Sequence, residues 1–129
     1  MRKTIFWAYI LLACLFTACQ DSSKLIVSDL QCEYLNAPLA IDNTTPHFGW
    51  KMTCGQNGTS SSAYQILVAT ELDKLNEEEA DLWNSGKVSS DTSLGIVYGG
   101  KALNSRTQAY WKVRVWNQAD VPSEWSKPS

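Results

Sequence analysis

The sequence predicts an all-β domain, a two-layer β-sandwich with one short helical insertion, preceded by a signal peptide. Three observations predict it. Candidate strands alternate with turn signals about every 8 to 12 residues, the spacing of a sandwich. Apart from one short stretch, no segment repeats its apolar residues at helical spacing. The segment from Ala109 to Trp116 alternates strictly, with Ala109, Trp111, Val113 and Val115 on one face and Tyr110, Lys112, Arg114 and Trp116 on the other. That period of two marks a half-buried strand with an apolar inner face and a cationic, aromatic outer one.

The chain opens with Arg2 and Lys3, an apolar run from Ile5 to Phe16, and then Thr17-Ala18-Cys19. The run suits a signal peptide and falls short of the roughly 20 residues that span a bilayer as a helix. A small residue directly before a cysteine resembles a bacterial lipoprotein box, although Phe16 departs from the usual aliphatic residue. The resemblance implies cleavage before Cys19, lipidation of Cys19, and an exported protein held at the periplasm or cell surface by its lipid. Residues 1–18 then form the signal peptide and 19–24 a polar tether.

The sandwich occupies residues 25–129. Leu25 to Leu35 reads as the first strand, and the prolines of Asn36 to Pro46 make that segment a connection. Phe48, Trp50 and Met52 alternate with His47, Gly49 and Lys51, which puts a tryptophan in the core. Gly55-Gln-Asn-Gly58 is a turn. Tyr64, Ile66 and Val68 form the inward face of the third strand. Thr70-Glu-Leu-Asp73 has the form of a capping box with Asp in its last place, and Leu72 and Leu75 follow at helical spacing, predicting one or two helical turns. Short strands bearing Trp83 and Ile96-Val-Tyr98 lead through Leu103 to Thr107 into the strand at 109–116.

Loss of the first 18 of 129 residues leaves 111, with 9 of the 11 basic residues against all 13 acidic ones, a formal charge of −4. That balance argues against nucleic acid, which demands clustered Lys and Arg. Of the four cysteines, Cys14 leaves with the signal and Cys19 carries lipid. Cys32 and Cys54 remain, in a compartment that permits a disulfide between them; Cys32 serves equally well as a small buried hydrophobe.

Trp50, Tyr64-Gln-Ile66, and Leu103 leading through Thr107 into a Val-x-Val strand resemble an immunoglobulin-like, fibronectin type III domain. More narrowly, five segments in order resemble the N-terminal module of bacterial α-L-rhamnosidases. They are Cys32-Glu-Tyr-Leu-Asn-Ala-Pro-Leu-Ala-Ile-Asp42, Pro46-His-Phe-Gly-Trp50, Ser62-Ala-Tyr-Gln-Ile-Leu-Val-Ala69, Asp81-Leu-Trp-Asn-Ser-Gly-Lys-Val88 and Tyr110-Trp-Lys-Val-Arg-Val-Trp116. Three positions depart from the pattern: Ala109 stands where a corner tyrosine is common, Ala40 replaces a frequent glycine, and Gln118 to Pro122 lacks the usual glycine in its turn.

The resemblance implies a glycoside hydrolase of carbohydrate metabolism that releases terminal α-L-rhamnose with inversion. Such chemistry needs two carboxyls about 6.5–9.5 Å apart, and in that family the pair lies in a catalytic α/α barrel downstream of this module. Partners implied are that remainder of the parent enzyme, rhamnose-containing glycans acting through it, and the membrane through the lipid anchor. This chain supplies no catalytic pair. Glu77, Glu78, Glu79 and Asp81 read as a solvated acidic loop, since no Asp-x-Asp-x-Asp-Gly calcium loop accompanies them. His47 is the only histidine, so no pair of histidines exists for zinc or a relay. No metal or cofactor is expected.

Tyr110, Arg114 and Trp116, with Trp125, are the remaining candidate site. Aromatic faces stack on the C–H surfaces of sugars, which makes a sugar platform. The structural reading is a ladder with Arg114 between Trp125 and either Trp116 or Tyr110, favoured because a cation between rings leaves no free face; Ser123-Glu-Trp-Ser126 resembles half of the Trp-Ser-x-Trp-Ser box of receptor type III domains. The competing class is a free-standing surface lipoprotein that binds glycan or protein through this aromatic face. A sandwich needs a last strand of about 5–6 residues, and only Lys127 to Ser129 follows Trp125-Ser126. The domain is therefore expected to be truncated in its last strand, and the reading frame to continue past Ser129.

Overall fold

The computed structural model of the protein describes residues 24–55 and 57–129. The expected signal peptide, Cys19 and residues 20–23 of the tether lie outside the described residues. Among the described residues, no helix is long and apolar enough to cross a membrane.

Among the described residues, six strands form two antiparallel sheets. They are β1 (Leu25–Cys32), β2 (His47–Cys54), β3 (Ser61–Ala69), β4 (Trp83–Asn84), β5 (Ile96–Val97) and β6 (Tyr110–Asn117). One sheet has the order β1-β2-β5 and the other β4-β3-β6. Their facing sides hold the core: Val27, Phe48, Trp50, Ile66, Val113 and Val115 are all buried. Phe48 joins the layers, with its ring 4.4 Å from Trp111, and Trp50 stands edge-on to Tyr64 at 5.5 Å.

The first strand ends at Cys32 rather than Leu35. Its register on β2 shifts between Ser28 and Gln31, where Asp29 takes a φ of 49°. The bulge reverses the alternation, so Leu25 and Val27 point inward before it and Leu30 and Cys32 after it. Glu33 and Tyr34 then form a tight turn, both with positive φ, and Leu35 exchanges backbone hydrogen bonds with Cys32 at 2.9 and 3.0 Å.

The same register decides between the two readings the sequence left open for Cys32 and Cys54, and it excludes the bridge. Cys54 lies opposite Leu25 and Cys32 opposite Phe48, at the two ends of one ladder. At about 3.4 Å per residue the two are far beyond the roughly 7 Å of Cα separation a disulfide allows. Cys32 is a buried core residue, and burial pushes its thiol up to about 11, with Glu33 adding to the shift.

The capping box does not form either. A 3₁₀ turn at Leu72–Lys74 is capped by Glu71 without a side-chain bond. Thr70 instead donates its hydroxyl (2.6 Å) and backbone N–H (2.9 Å) to the carboxylate of Asp81. This clamp closes the 71–80 loop over the outer side of β3, where Leu67, Ala69 and Leu75 make a second small core. β3 is consequently buried on both faces over Gln65–Ala69.

The expected open edge of β6 is occupied. Residues 121–129 run beside it, with the N–H of Ser123 donating to Val115 O (2.7 Å) and that of Ser126 to Val113 O (2.9 Å). Trp111 and Ser129 exchange both backbone bonds, at 3.0 and 2.9 Å. Three residues of this segment therefore match two of β6, so it is not a regular strand and shows no alternation in the sequence. Hydroxyls complete the ladder: Ser126 Oγ accepts from Val113 N and Ser123 Oγ from Val115 N, both at 3.1 Å. The turn before it manages without glycine because Asp120 takes the positive φ of 61° and Asn117 Oδ1 accepts from Ala119 N and Val121 N.

Ser123→Ala and Ser126→Ala each strand a buried N–H of β6. Each is expected to cost about 1–3 kcal/mol in urea unfolding; unchanged midpoints would show that the hydroxyls are dispensable.

Candidate functional site

The outer face of β6 follows from its period of two. Gln65 of β3 lies opposite Arg114 in the register, and the closing segment brings Trp125 alongside. The structure arranges cations and indoles in alternation. The guanidinium of Arg114 sits 5.0 Å from the centre of Trp116 and 4.6 Å from that of Trp125. Lys87 Nζ lies 4.9 Å from the Trp116 ring and Lys112 Nζ 5.0 Å from the Trp125 ring. The order is Lys87, Trp116, Arg114, Trp125, Lys112.

The edge of the guanidinium is held as firmly as its faces. Nε and Nη2 of Arg114 donate to Gln65 Oε1 at 3.1 and 2.9 Å, and Nη2 also donates to the Glu77 carboxylate. Gln65 in turn donates to Asn84 Oδ1 at 3.0 Å, and Asn84 donates to the Glu77 carbonyl at 3.2 Å. A fork of donors with a flat π face fits this position, which a lysine would not. At the outer end Lys87 pairs with Asp120. Burial pulls the Lys112 ammonium below its usual range.

Of the four residues singled out from the sequence, Arg114, Trp116 and Trp125 come together. Tyr110 does not join them: it accepts a bond from Gln108 (2.7 Å) and packs beside the Leu67–Ala69–Leu75 cluster. Trp116 lies on the outer face but is buried there rather than open. Sequence reasoning missed Lys87, Gln65, Glu77 and Asn84, which reach the stack from other elements. It also missed Tyr98, whose hydroxyl donates to Lys101 O at 2.7 Å and ties down a loop much as a corner tyrosine does.

The carboxylates near 77–81 are bound into the fold. Glu77 holds Arg114, Glu79 accepts from Asn76 at 2.6 Å, and Asp81 holds Thr70. Glu33 accepts from the His47 ring (3.0 Å) and backbone (2.6 Å). Glu33, Asp81 and Glu124 are all pulled below the usual carboxylate range, chiefly by side-chain bonds from His47, Thr70 and Lys24 respectively. A glycosidase general acid needs the opposite shift, upward. The outer face thus offers packing and charge pairing, and the geometry defines an immunoglobulin-like β-sandwich.

Comparison with known proteins gives the particular family. The model of the Rha78A-like, N-terminal immunoglobulin domain matches residues 27–129, and the chain belongs to that family. An α-L-rhamnosidase of Formosa agariphila is 43% identical over 128 residues, covering 96% of this chain and 13% of that protein. The solved structure of Streptomyces avermitilis α-L-rhamnosidase complexed with L-rhamnose superposes with a TM-score of 0.77 at 41% identity, over 81% of this chain and 10% of that one. The α-L-rhamnosidase from Dictyoglumus thermophilum gives 0.76 at 35% identity, over 80% and 12%. The chain therefore spans a small fraction of the relatives it matches.

Arg114→Ala is expected to lower stability by about 2–4 kcal/mol, read as a lower melting temperature, because two ring contacts and three hydrogen bonds go together. Arg114→Lys should recover only part of it. Acid should unfold the domain through the depressed carboxyls. The stabilisation from Asp81 and Glu33 is complete above their ordinary values of 3.8 and 4.5 and is lost as pH falls through the lower folded values. Asp81→Asn is expected to flatten the fall in melting temperature below about pH 4; an undiminished slope would contradict the Thr70–Asp81 clamp.

Proposed function

We propose that the chain is the N-terminal accessory sandwich of an exported, lipid-anchored α-L-rhamnosidase. The parent enzyme would release terminal α-L-rhamnose with inversion, using a carboxyl pair in an α/α barrel outside these residues. The module's own role is structural, positioning and covering the enzyme proper. One observation carries this reading: a family match over residues 27–129 in a chain that covers only 13% of a rhamnosidase to which it is 43% identical. The stack at Arg114 supports a structural role, since indoles already facing cations leave little bare ring for a pyranose. The lipid anchor is proposed from Thr17-Ala18-Cys19 and its apolar leader. Each buried CH₂ of an attached chain adds about 0.8 kcal/mol, and two or more chains hold a protein stably on a membrane.

Expression of the natural full reading frame tests the proposal. It should hydrolyse a nitrophenyl α-L-rhamnoside, with the β-anomer appearing first by NMR, and Cys19→Ala should move the protein from the membrane pellet to the soluble fraction. A full-length product that releases no rhamnose would overturn the enzymatic reading, and unchanged membrane association of Cys19→Ala would overturn the anchor.

A further inference from the structure

β2 ends at Cys54 and β3 begins at Ser61, and the link between them crosses from one sheet to the other. Asn57 and Gly58 form an exposed turn within it. Gly58 takes a φ of 82°, and a Cβ built there would meet no atom within 4 Å. Asparagine followed by glycine is a chemically reactive pair, because no side chain on the second residue keeps its backbone nitrogen away from the first residue's amide. Of the asparagines in this chain, Asn57 alone precedes a glycine.

The fold treats the other asparagines differently. Asn43 donates to the Glu33 carboxylate (3.2 Å) and accepts from Thr45 N (3.0 Å). Asn76 donates to Glu79 at 2.6 Å and accepts from Glu78 N at 3.0 Å. Asn84 donates to Glu77 O at 3.2 Å and accepts from Gly86 N at 2.9 Å, and Asn117 is buried with Ala119 N on its side-chain oxygen. Asn36 and Asn104 are exposed, but the side chains of Ala37 and Ser105 crowd the nitrogen that follows each. Among the described residues, no hydrogen bond holds the Asn57 side chain.

We propose that Asn57-Gly58 is a site of spontaneous covalent modification, converting through a succinimide to isoaspartate and aspartate while the sandwich stays folded. The backbone nitrogen of Gly58 attacks Cγ of Asn57, a C–N bond forms, the Cγ–Nδ2 bond breaks, and Nδ2 leaves as ammonia with the backbone proton. Water then opens the ring. Attack at Cγ gives aspartate, and attack at the backbone carbonyl gives isoaspartate, in which the chain runs through Cβ and Cγ. Either product adds one negative charge to the turn, and isoaspartate also adds one carbon to the backbone. The turn accommodates that carbon because Gly55 and Gly58 both face open space and Asn57 and Gly58 lie outside both ladders.

Incubation of the intact protein in warm neutral buffer, folded and in parallel in urea, followed by peptide mapping with mass spectrometry, tests this. Isoaspartate is read separately as methyl groups accepted from S-adenosylmethionine through a protein L-isoaspartate methyltransferase. In the folded protein Asn57 should convert several-fold faster than any other asparagine and at nearly its rate in urea, with methyl acceptance rising in step and the melting temperature unchanged. Asn57→Gln, whose longer side chain cannot close the five-membered ring, should abolish methyl acceptance and melt as the parent does. Conversion of Asn57 several-fold slower in the folded protein than in urea, or Asn36 or Asn104 converting first, overturns the site. Acid formed at Asn57 without methyl acceptance overturns the succinimide route, and a melting temperature that falls as isoaspartate accumulates overturns its accommodation in the turn.

Discussion

Strand β6 is covered on both faces by two different kinds of interaction, and the rest of the module is arranged around that fact. Its inner face places Trp111, Val113 and Val115 against the opposite sheet, where apolar burial alone suffices. Its outer face carries Lys112, Arg114 and Trp116, which cannot be buried the same way. The charge is accommodated by sandwiching it between Trp116 and Trp125 and by directing its N–H groups at Gln65 and Glu77. Removing a cation's water is costly unless its donors are met, and here both ring faces and a carboxylate replace that water. The stack draws in elements distant in sequence: β3 through Gln65, the 71–80 loop through Glu77, and the closing segment through Trp125.

That closing segment depends on β6 in turn. An edge strand left bare is a template for aggregation, and β6 would be one without residues 121–129. The serines at 123, 126 and 129 recur every third residue, and each meets one alternate residue of β6. The hydroxyls of Ser123 and Ser126 stand in for carbonyls that the winding backbone turns away. The winding also leaves room for Trp125 to swing onto the outer face and cover Arg114. Ladder closure and cation stacking are thus one device. Its result is a closed edge on the sheet that carries β6.

Much of the fold was legible because burial obeys a period of two. β2, β3 and β6 lie where alternation puts them, and the core tryptophans Trp50 and Trp111 were read correctly. The misreadings have local causes. The bulge at Asp29 breaks alternation, so β1 appeared longer than it is. Thr70 fits a capping box by sequence, but Asp81, eleven residues on, competes for its hydroxyl and wins. Cys32 and Cys54 sit on neighbouring strands, and only the register shows them at opposite ends. Ser123 to Ser126 stood out by its resemblance to a Trp-Ser box, but its pairing with β6 did not, because three residues there match two of β6 and only the serine spacing carries that signal. At the candidate site, Arg114, Trp116 and Trp125 could be read from one short stretch, whereas Lys87, Gln65 and Glu77 are brought there by the fold and by no sequence pattern.

The central claim is that the aromatic outer face is a structural element rather than a sugar-binding platform. The indole N–H resonances of Trp116 and Trp125, followed by NMR while L-rhamnose or a rhamnoside is titrated into the protein, test it most directly. The account predicts that neither resonance moves. A saturable shift at both, weakened in Arg114→Ala, would show that the rings recognise sugar and would contradict it.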